Sequence, residues 1–100
     1  MFKSKRSRAC DISKAVKDKV WERDNHRCII CGNPFAMPNA HYIPRSKGGL
    51  GIEQNIVTLC QRCHHTTDHT EHREFVLGKI EKYLNAKYSD WNKEDLTYRK

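Results

Sequence analysis

Long apolar segments are missing from this sequence. None of its hydrophobic runs approaches the ~18 consecutive residues that a membrane-spanning helix needs. The basic first residues, MFKSKRSR, are not followed by the hydrophobic stretch of a signal peptide either. We therefore expect a cytoplasmic protein that makes no contact with a membrane.

Apolar and acidic residues are also few. Only 37% of the 100 residues are hydrophobic, so one small core must offset about 1.5 kcal/mol of ordering entropy per residue. A chain of this length forms one domain, which we place over residues 11–100, and we expect something besides apolar burial to stabilise it. The 12 acidic residues face 19 Lys and Arg, and the resulting net charge of +7 favours a polyanionic partner.

Two predicted helices frame this domain. The first eight residues contain almost nothing apolar, and residues 1–10 are predicted to form a flexible basic arm. An amphipathic helix is predicted from Ser13 to Arg23, where apolar residues recur at helical spacing. A second amphipathic helix is predicted from Glu71 to Tyr88. A last short turn that carries Trp91 and Leu96 is expected to fold back onto the core.

The segment between the helices has the composition of a tight turn followed by a hairpin. Prolines and turn-forming residues in Cys28–Pro38 exclude a long helix there. Ala40–Pro44 and Asn55–Leu59 are short β-prone runs. The loop between them contains three glycines, which allow close backbone approach. We predict a hairpin with a long loop.

Four of the five cysteines form two C-x-x-C pairs, Cys28/Cys31 and Cys60/Cys63. Disulfides are not expected in a reducing compartment. Two such pairs supply the four thiolates of a tetrahedral zinc site, so we predict a structural Zn²⁺ that substitutes for missing core. The alternative is a set of ordinary buried or free cysteines. Cys10 stands at no ligand spacing and is predicted to be a small, half-buried hydrophobic residue.

Three polar residues stand in order around these pairs, in the string AHYIPRSKGGLGIEQNIVTLCQRCHH: His41, Asn55 and His64. His-x-x-Pro, a glycine pair, an Asn that begins a β-prone run and C-x-x-C-H together resemble the HNH endonuclease family. The resemblance spans Val20 to Asp68, with the motif core at residues 28–68. It implies an α+β fold, a small zinc-stabilised ββα-metal domain with flanking helices. The flanks are similar to small phage-encoded members, which would place the protein in the host cell cytoplasm.

The resemblance implies a role for each of the three residues in hydrolysing a phosphodiester bond. His41 would be the general base, because an imidazole with a pKa of ~6.5 can accept a water proton near neutral pH. His64 would hold a catalytic divalent ion, Mg²⁺ or another such as Mn²⁺ or Ni²⁺. Asn55 would orient the base through hydrogen bonds across the hairpin loop. Taken singly, His41 would fit a strand residue, His64 a substitute zinc ligand and Asn55 a turn former.

The sequence departs from the commonest family pattern beside the base. Many members carry a metal-binding Asp or His there, whereas this chain has Ala40. When IVTLCQRCH is aligned with the corresponding stretch of the colicin-type nucleases, Asp68 matches the position of a second metal ligand. Asp68 would lie one helical turn after His64. Alternatively, Asp68 caps the following helix. His65 is a weaker third candidate ligand.

Basic residues on the hairpin loop and in the arm are the predicted contacts to double-stranded DNA, through its phosphates. They are Lys3, Lys5, Arg6, Arg8, Arg45 and Lys47. No base-recognition module is visible, so we expect weak sequence preference. The sequence thus predicts an HNH endonuclease of phage or mobile-element DNA processing, with phage packaging proteins as further partners in that setting. The alternative is a non-catalytic, zinc-bound nucleic-acid-binding module on the same scaffold.

Overall fold

Two antiparallel strands and the helix that follows them form the centre of the fold. The computed structural model describes residues 4–69 and 71–99, with the backbone alone at 68 and 69. Its helices are α1 (Lys5–Cys10), α2 (Lys14–Arg23), α3 (Gln61–His69) and α4 (Arg73–Lys87), and its strands are β1 (Ala36–His41) and β2 (Ile56–Cys60). Short 3-10 turns cover Arg45–Lys47 and Lys93–Leu96. The predicted α+β class and the ββα order are confirmed.

The two predicted amphipathic helices are present as α2 and α4. α2 begins where the Ser13 hydroxyl accepts a hydrogen bond from the backbone N–H of Val16 at 3.2 Å, which satisfies one amide of the first turn. α4 buries Val76, Ile80 and Leu84. These residues recur every four positions, so they share the face that packs on the core.

β1 begins at Ala36, whereas the sequence predicts a strand that begins at Ala40 and ends at Pro44. The prediction assigned Pro38 to a turn, but the strand accommodates it where the pairing register with β2 shifts. Proline lacks the N–H that a ladder needs, and a two-stranded sheet leaves one side of β1 unpaired. β1 ends at His41, which pairs with Ile56 of β2.

Residues 5–10 of the predicted flexible arm form the helix α1, and residues 1–3 of that arm lie outside the described residues. Ser4 caps this helix with its hydroxyl, and the opposite end of the helix lies against the hairpin loop. There the N–H of Gly51 donates to the carbonyl of Ala9 at 2.9 Å, and Cys10 is only 2% exposed. Composition does not predict these contacts, because backbone groups and a close glycine approach make them.

The core lies between the sheet and α4. Its buried members are Cys28, Ala40, Val57, Leu59, Cys60, Val76, Ile80 and Leu84. The C-terminal segment folds back as predicted: the indole N–H of Trp91 donates to the carbonyl of Gln54 at 2.8 Å, and Leu96 is buried. None of the helices in the described ranges has the length and apolar character that crossing a membrane requires.

A buried ion pair at the end of α2 joins three elements, and sequence reasoning missed it. Asp24 accepts hydrogen bonds from the guanidinium of Arg23 at 2.8 Å, from the N–H of Thr58 at 2.8 Å and from the hydroxyl of Tyr83 at 2.6 Å. Arg23 also donates to the carbonyl of Ile56 at 2.7 Å. Burial and the Asp24 carboxylate raise the pKa of Tyr83, so its phenol remains a donor. The network fastens α2 to β2 and α4.

We expect Asp24→Ala to lower the free energy of unfolding by about 3–5 kcal/mol, because it leaves the Arg23 guanidinium buried without a counter-charge. Urea denaturation followed by circular dichroism measures the loss. The control is Asp18→Ala, since Asp18 is 66% exposed and pairs with an exposed lysine, so its loss is expected to cost less than about 1 kcal/mol. Equal losses in the two variants would contradict the structural role of Asp24.

Candidate active site and metal centre

Four cysteine side chains converge between the start of the hairpin and the start of α3. The Sγ atoms of Cys28, Cys31, Cys60 and Cys63 all lie within 4.8 Å of one another. The Cys31 and Cys60 sulfurs are 3.6 Å apart. A tetrahedral zinc with Zn–S bonds of about 2.3 Å separates its sulfurs by about 3.8 Å, so this donor set fits the ion. The four thiols could therefore hold a structural metal ion such as zinc.

The local structure explains why these thiols meet. Cys60 ends β2 and Cys63 lies in the first turn of α3, so one pair follows the strand directly into the helix. In the other pair, Gly32 has a φ of 77°, which lets the chain turn back after Cys31. The N–H of Ile29 then donates to a β2 carbonyl at 3.1 Å. An ion on this cluster would join the hairpin, α3 and the preceding turn.

The pKa values of two of these thiols, Cys28 and Cys63, shift in opposite directions. Burial opposes ionisation of Cys28, but hydrogen bonds from nearby backbone N–H groups lower its pKa to about 7. Burial and the neighbouring thiols raise the pKa of Cys63 above its ordinary value. Metal binding would displace the protons of these thiols.

His41, at the end of β1, is held by a backbone carbonyl. Its Nε2 lies 2.9 Å from the carbonyl oxygen of Cys10. A carbonyl only accepts hydrogen bonds, so Nε2 carries the proton in the neutral ring and Nδ1 is the acceptor. Burial lowers the pKa of His41; the Cys10 carbonyl opposes this, whereas nearby Arg45 and His64 reinforce it. The ring is therefore neutral, and able to accept a proton, at physiological pH.

A cleft of about 440 Å³ collects the residues of the candidate active site. His41, Arg45 and His64, which the sequence singled out, all line it. Lys17 and Asn39 line it as well and were missed. The strand alternation places Asn39 on the same face as His41, a signal that becomes readable only with the correct bounds of β1. Lys17 reaches the cleft from α2, and nothing in the sequence announced it.

His64 enters the cleft because it follows Cys63 in the first turn of α3. A neighbouring groove is lined by both His64 and Asn39, whereas His65 lines a different groove. Ala40 is 1% exposed and belongs to the core, and its methyl group offers no ligand atom. Asp68 falls in α3, one turn after His64, and its side chain lies outside the described residues.

Asn55 is fully buried and bridges the two ends of the hairpin loop. Its Oδ1 accepts from the N–H of Ile43 at 2.8 Å. Its Nδ2 donates to the carbonyl of Ile43 at 3.2 Å and to that of Leu50 at 2.8 Å. One amide side chain thus closes the loop immediately after His41, and all of its bonds go to backbone groups that a smaller residue would leave unpaired.

The predicted DNA-binding cations lie in two places. Arg45 lines the cleft, and its Nη1 is 2.7 Å from a carboxylate oxygen of Asp11. Three others, Lys5, Arg6 and Lys47, line a second cleft where α1 meets the loop. Arg8 is exposed on α1, and Lys3 lies outside the described residues. Among the predicted DNA contacts, Arg45, Lys5, Arg6 and Lys47 therefore lie where α1 meets the hairpin loop.

Two comparisons with known proteins bear on this chain. A protein from Nostoc sp. named Anaredoxin is 35% identical over 50 residues, which cover 49% of this chain and 66% of that protein. The chain thus covers just under two thirds of that relative. The family model described as HNH endonuclease matches residues 28–77, a range that contains both cysteine pairs, His41, Asn55 and His64. With the hairpin, the helix and the cysteine cluster in place, this chain belongs to the HNH endonuclease family.

Proposed function

We propose that this protein is a metal-dependent endonuclease that hydrolyses phosphodiester bonds in double-stranded DNA during phage or mobile-element DNA processing. Family membership implies a nucleic-acid substrate. The observation that carries the proposal is one cleft lined by His41, His64 and Arg45. It combines a neutral imidazole, a metal-binding imidazole and a guanidinium, which are the groups that phosphodiester hydrolysis needs. The phage setting rests on the resemblance of the flanking sequences.

His41 is the general base of the proposed mechanism. Its Nδ1 takes a proton from a water molecule, and the hydroxide attacks the phosphorus in line with the departing sugar oxygen. The departing 3′ oxygen takes a proton from solvent water, so the products carry 5′-phosphate and 3′-hydroxyl ends. Burial lowers the pKa of His41, which raises the fraction of neutral base at a given pH. Asn55 closes the loop that follows His41 and so keeps the ring at the cleft.

His64 and Asp68 would hold the catalytic divalent ion. An imidazole with carboxylate and amide oxygens suits Mg²⁺ or Mn²⁺, and Asn39 lines the same groove as His64. Such an ion supplies charge neutralisation at the phosphate and at the departing oxygen. Among the described residues the four cysteines are the one group of three or more metal-binding side chains, so substrate phosphate and water would complete the coordination.

Arg45 would bind the phosphate beside the scissile bond. Its guanidinium can hold two phosphate oxygens at once, in competition with the carboxylate of Asp11. Lys47, Lys5 and Arg6 would extend this binding to neighbouring phosphates, with Arg8 and Lys3 adding positive potential. These contacts carry no base information, so the affinity should fall steeply with salt.

A plasmid-nicking assay tests the proposal. Purified protein is incubated with supercoiled plasmid and Mg²⁺, Mn²⁺ or Ni²⁺, and the conversion to nicked or linear DNA is compared with that of His41→Ala prepared in parallel. Cleavage by the wild-type protein alone supports the endonuclease.

The competing function is a non-catalytic module that binds DNA on the same scaffold. Ala40 favours it, because this position offers no metal ligand. That module would bind DNA in a filter-binding assay and would leave the plasmid intact with each of the three ions. This result would overturn the endonuclease proposal.

Replacing Asp68 separates a ligand from a helix cap. If Asp68 binds the ion, we expect Asp68→Asn to raise the metal concentration for half-maximal cleavage by about tenfold or more, since residues that merely orient ligands are worth about 10- to 100-fold in metal affinity. A cap would be preserved, because Asn caps a helix as well as Asp does. Glu71→Gln, at an exposed acidic residue, is the control. An unchanged metal titration would remove Asp68 from the ligand set.

A further inference from the structure

The end of α1 is fastened to the hairpin loop beside His41 by contacts from both sides. The N–H of Gly51 donates to the carbonyl of Ala9 at 2.9 Å. Arg45 pairs with Asp11 at 2.7 Å, and Arg6 donates to the carbonyl of Ser46 at 3.1 Å. The side chains of Arg45 and Arg6 extend in opposite directions. Arg45 extends from the loop to the cap of α1, and Arg6 extends from α1 to the loop. The junction therefore has a defined geometry.

We propose that α1 is a positioning element for His41, acting through the backbone carbonyl of Cys10. This oxygen lies 2.9 Å from Nε2 of His41. Cys10 is the last residue of α1, so its carbonyl has no partner within the helix and is free to accept. The bond selects the tautomer that carries its proton on Nε2 and leaves Nδ1 as the acceptor. The catalytic meaning of this arrangement rests on the proposed function; the tautomer does not.

The same bond has a consequence during the proposed reaction. When Nδ1 of His41 takes a proton from water, the ring becomes an imidazolium and its Nε2–H still points at the Cys10 carbonyl. A hydrogen bond from a charged donor is about twice as strong as a neutral one. The carbonyl thus stabilises the protonated base more than the neutral one, which favours proton transfer.

Gly51 is the position through which this junction can be tested. A Cβ built there would overlap the carbonyl group of Asp11 and would lie 3.0 Å from the carbonyl oxygen of Cys10. Backbone atoms cannot yield as the end of a flexible side chain can, so any side chain at this position must push the end of α1 away from the loop. The close approach, and not an unusual backbone conformation, is what requires glycine here.

The experiment measures the tautomer of His41 directly. Protein labelled with ¹⁵N-histidine is studied at pH 8 by ring ¹⁵N–¹H correlation spectra, and His41 is assigned from the signal that His41→Ala lacks. We expect a single tautomer with Nε2 protonated in the wild-type protein and a mixture of both tautomers in Gly51→Ala. Gly78→Ala is the matched control, because its Cβ meets no atom within 4 Å; its spectrum should equal that of the wild type.

Kinetics separate this inference from the proposed function. In an active enzyme, Gly51→Ala should lower kcat for plasmid nicking by about tenfold or more, with KM for DNA within about twofold, as expected for a group that acts in the transition state. A wild-type His41 without the Nε2–H tautomer would overturn the inference, even if Gly51→Ala does not fold. Unchanged tautomer and kcat in a folded Gly51→Ala would do the same. If the protein cleaves nothing but the tautomer behaves as expected, the endonuclease proposal fails and the positioning by α1 stands.

Discussion

Replacing Cys60 with alanine is expected to abolish cooperative folding of this domain. Cys60 joins β2 to α3 and supplies one of the four thiols that lie within 4.8 Å of one another. Structural zinc is worth about 10–16 kcal/mol apparent in small zinc-binding peptides. The total stability of a typical domain is only about 5–15 kcal/mol. The loss of one ligand should therefore remove both the metal and the thermal unfolding transition, measured by elemental analysis and calorimetry.

Cys10→Ala is the matched control for this experiment. Cys10 is as buried as Cys60, at 2% exposure, but lies outside the cluster. Its replacement should cost about 1 kcal/mol and leave one zinc per chain. Because four thiolates also accept iron, the elemental analysis must distinguish the two metals. A Cys60→Ala protein that unfolds at the same temperature as Cys10→Ala would refute the idea that a metal stabilises the fold.

His41→Ala is expected to lower the rate of DNA cleavage by about 10²–10⁴-fold, the usual contribution of a general base. DNA affinity and the unfolding temperature should change little, because the base acts in the transition state and not in ground-state binding. The measurements are single-turnover nicking and filter binding over the same range of protein concentration.

The control for this variant is His72→Ala. The side chain of His72 is 73% exposed and is not among those that line the cleft, so this variant should cleave at the wild-type rate. Near wild-type cleavage by His41→Ala would exclude His41 as the base. A pH profile adds a second check: burial lowers the pKa of His41, so wild-type cleavage should rise with pH, and the midpoint of that rise should lie below the pKa of about 6.5 of an ordinary histidine.

Several features of the site could be predicted from local sequence. The C-x-x-C pairs predict the cysteine cluster because each pair occupies one tight turn, and the structure brings the two turns together. His64 follows Cys63 directly, so any fold that assembles the cluster also places this histidine at the start of α3. The sequence-predicted DNA contacts, the role of Asn55 and the metal ligand Asp68 remain predictions.

Other features depend on contacts between residues far apart in the chain. α1 has no apolar face, and its position is set by hydrogen bonds to a loop about forty residues later, including the backbone bond from Gly51 to Ala9. The close approach of the two segments is possible because residue 51 is glycine. Asn39 and Lys17 reach the cleft from β1 and α2. Nothing at Asn39 indicates a site until the strand register is known, because a strand shifted by one residue presents the opposite face. Lys17 carries no signal of its own, since only the packing of α2 brings it to the cleft.

By itself, the sequence determined the family, the four-cysteine cluster and the two long amphipathic helices, because each depends on spacing within a short segment. Tertiary structure alone decided that residues 5–10 are helical, that β1 contains Pro38 and that Asp24 holds three elements together. It also decided which carbonyl meets His41. Each of these outcomes depends on a backbone group or a charge that finds its partner only when distant segments of the chain pack together. Local sequence does not encode such pairings.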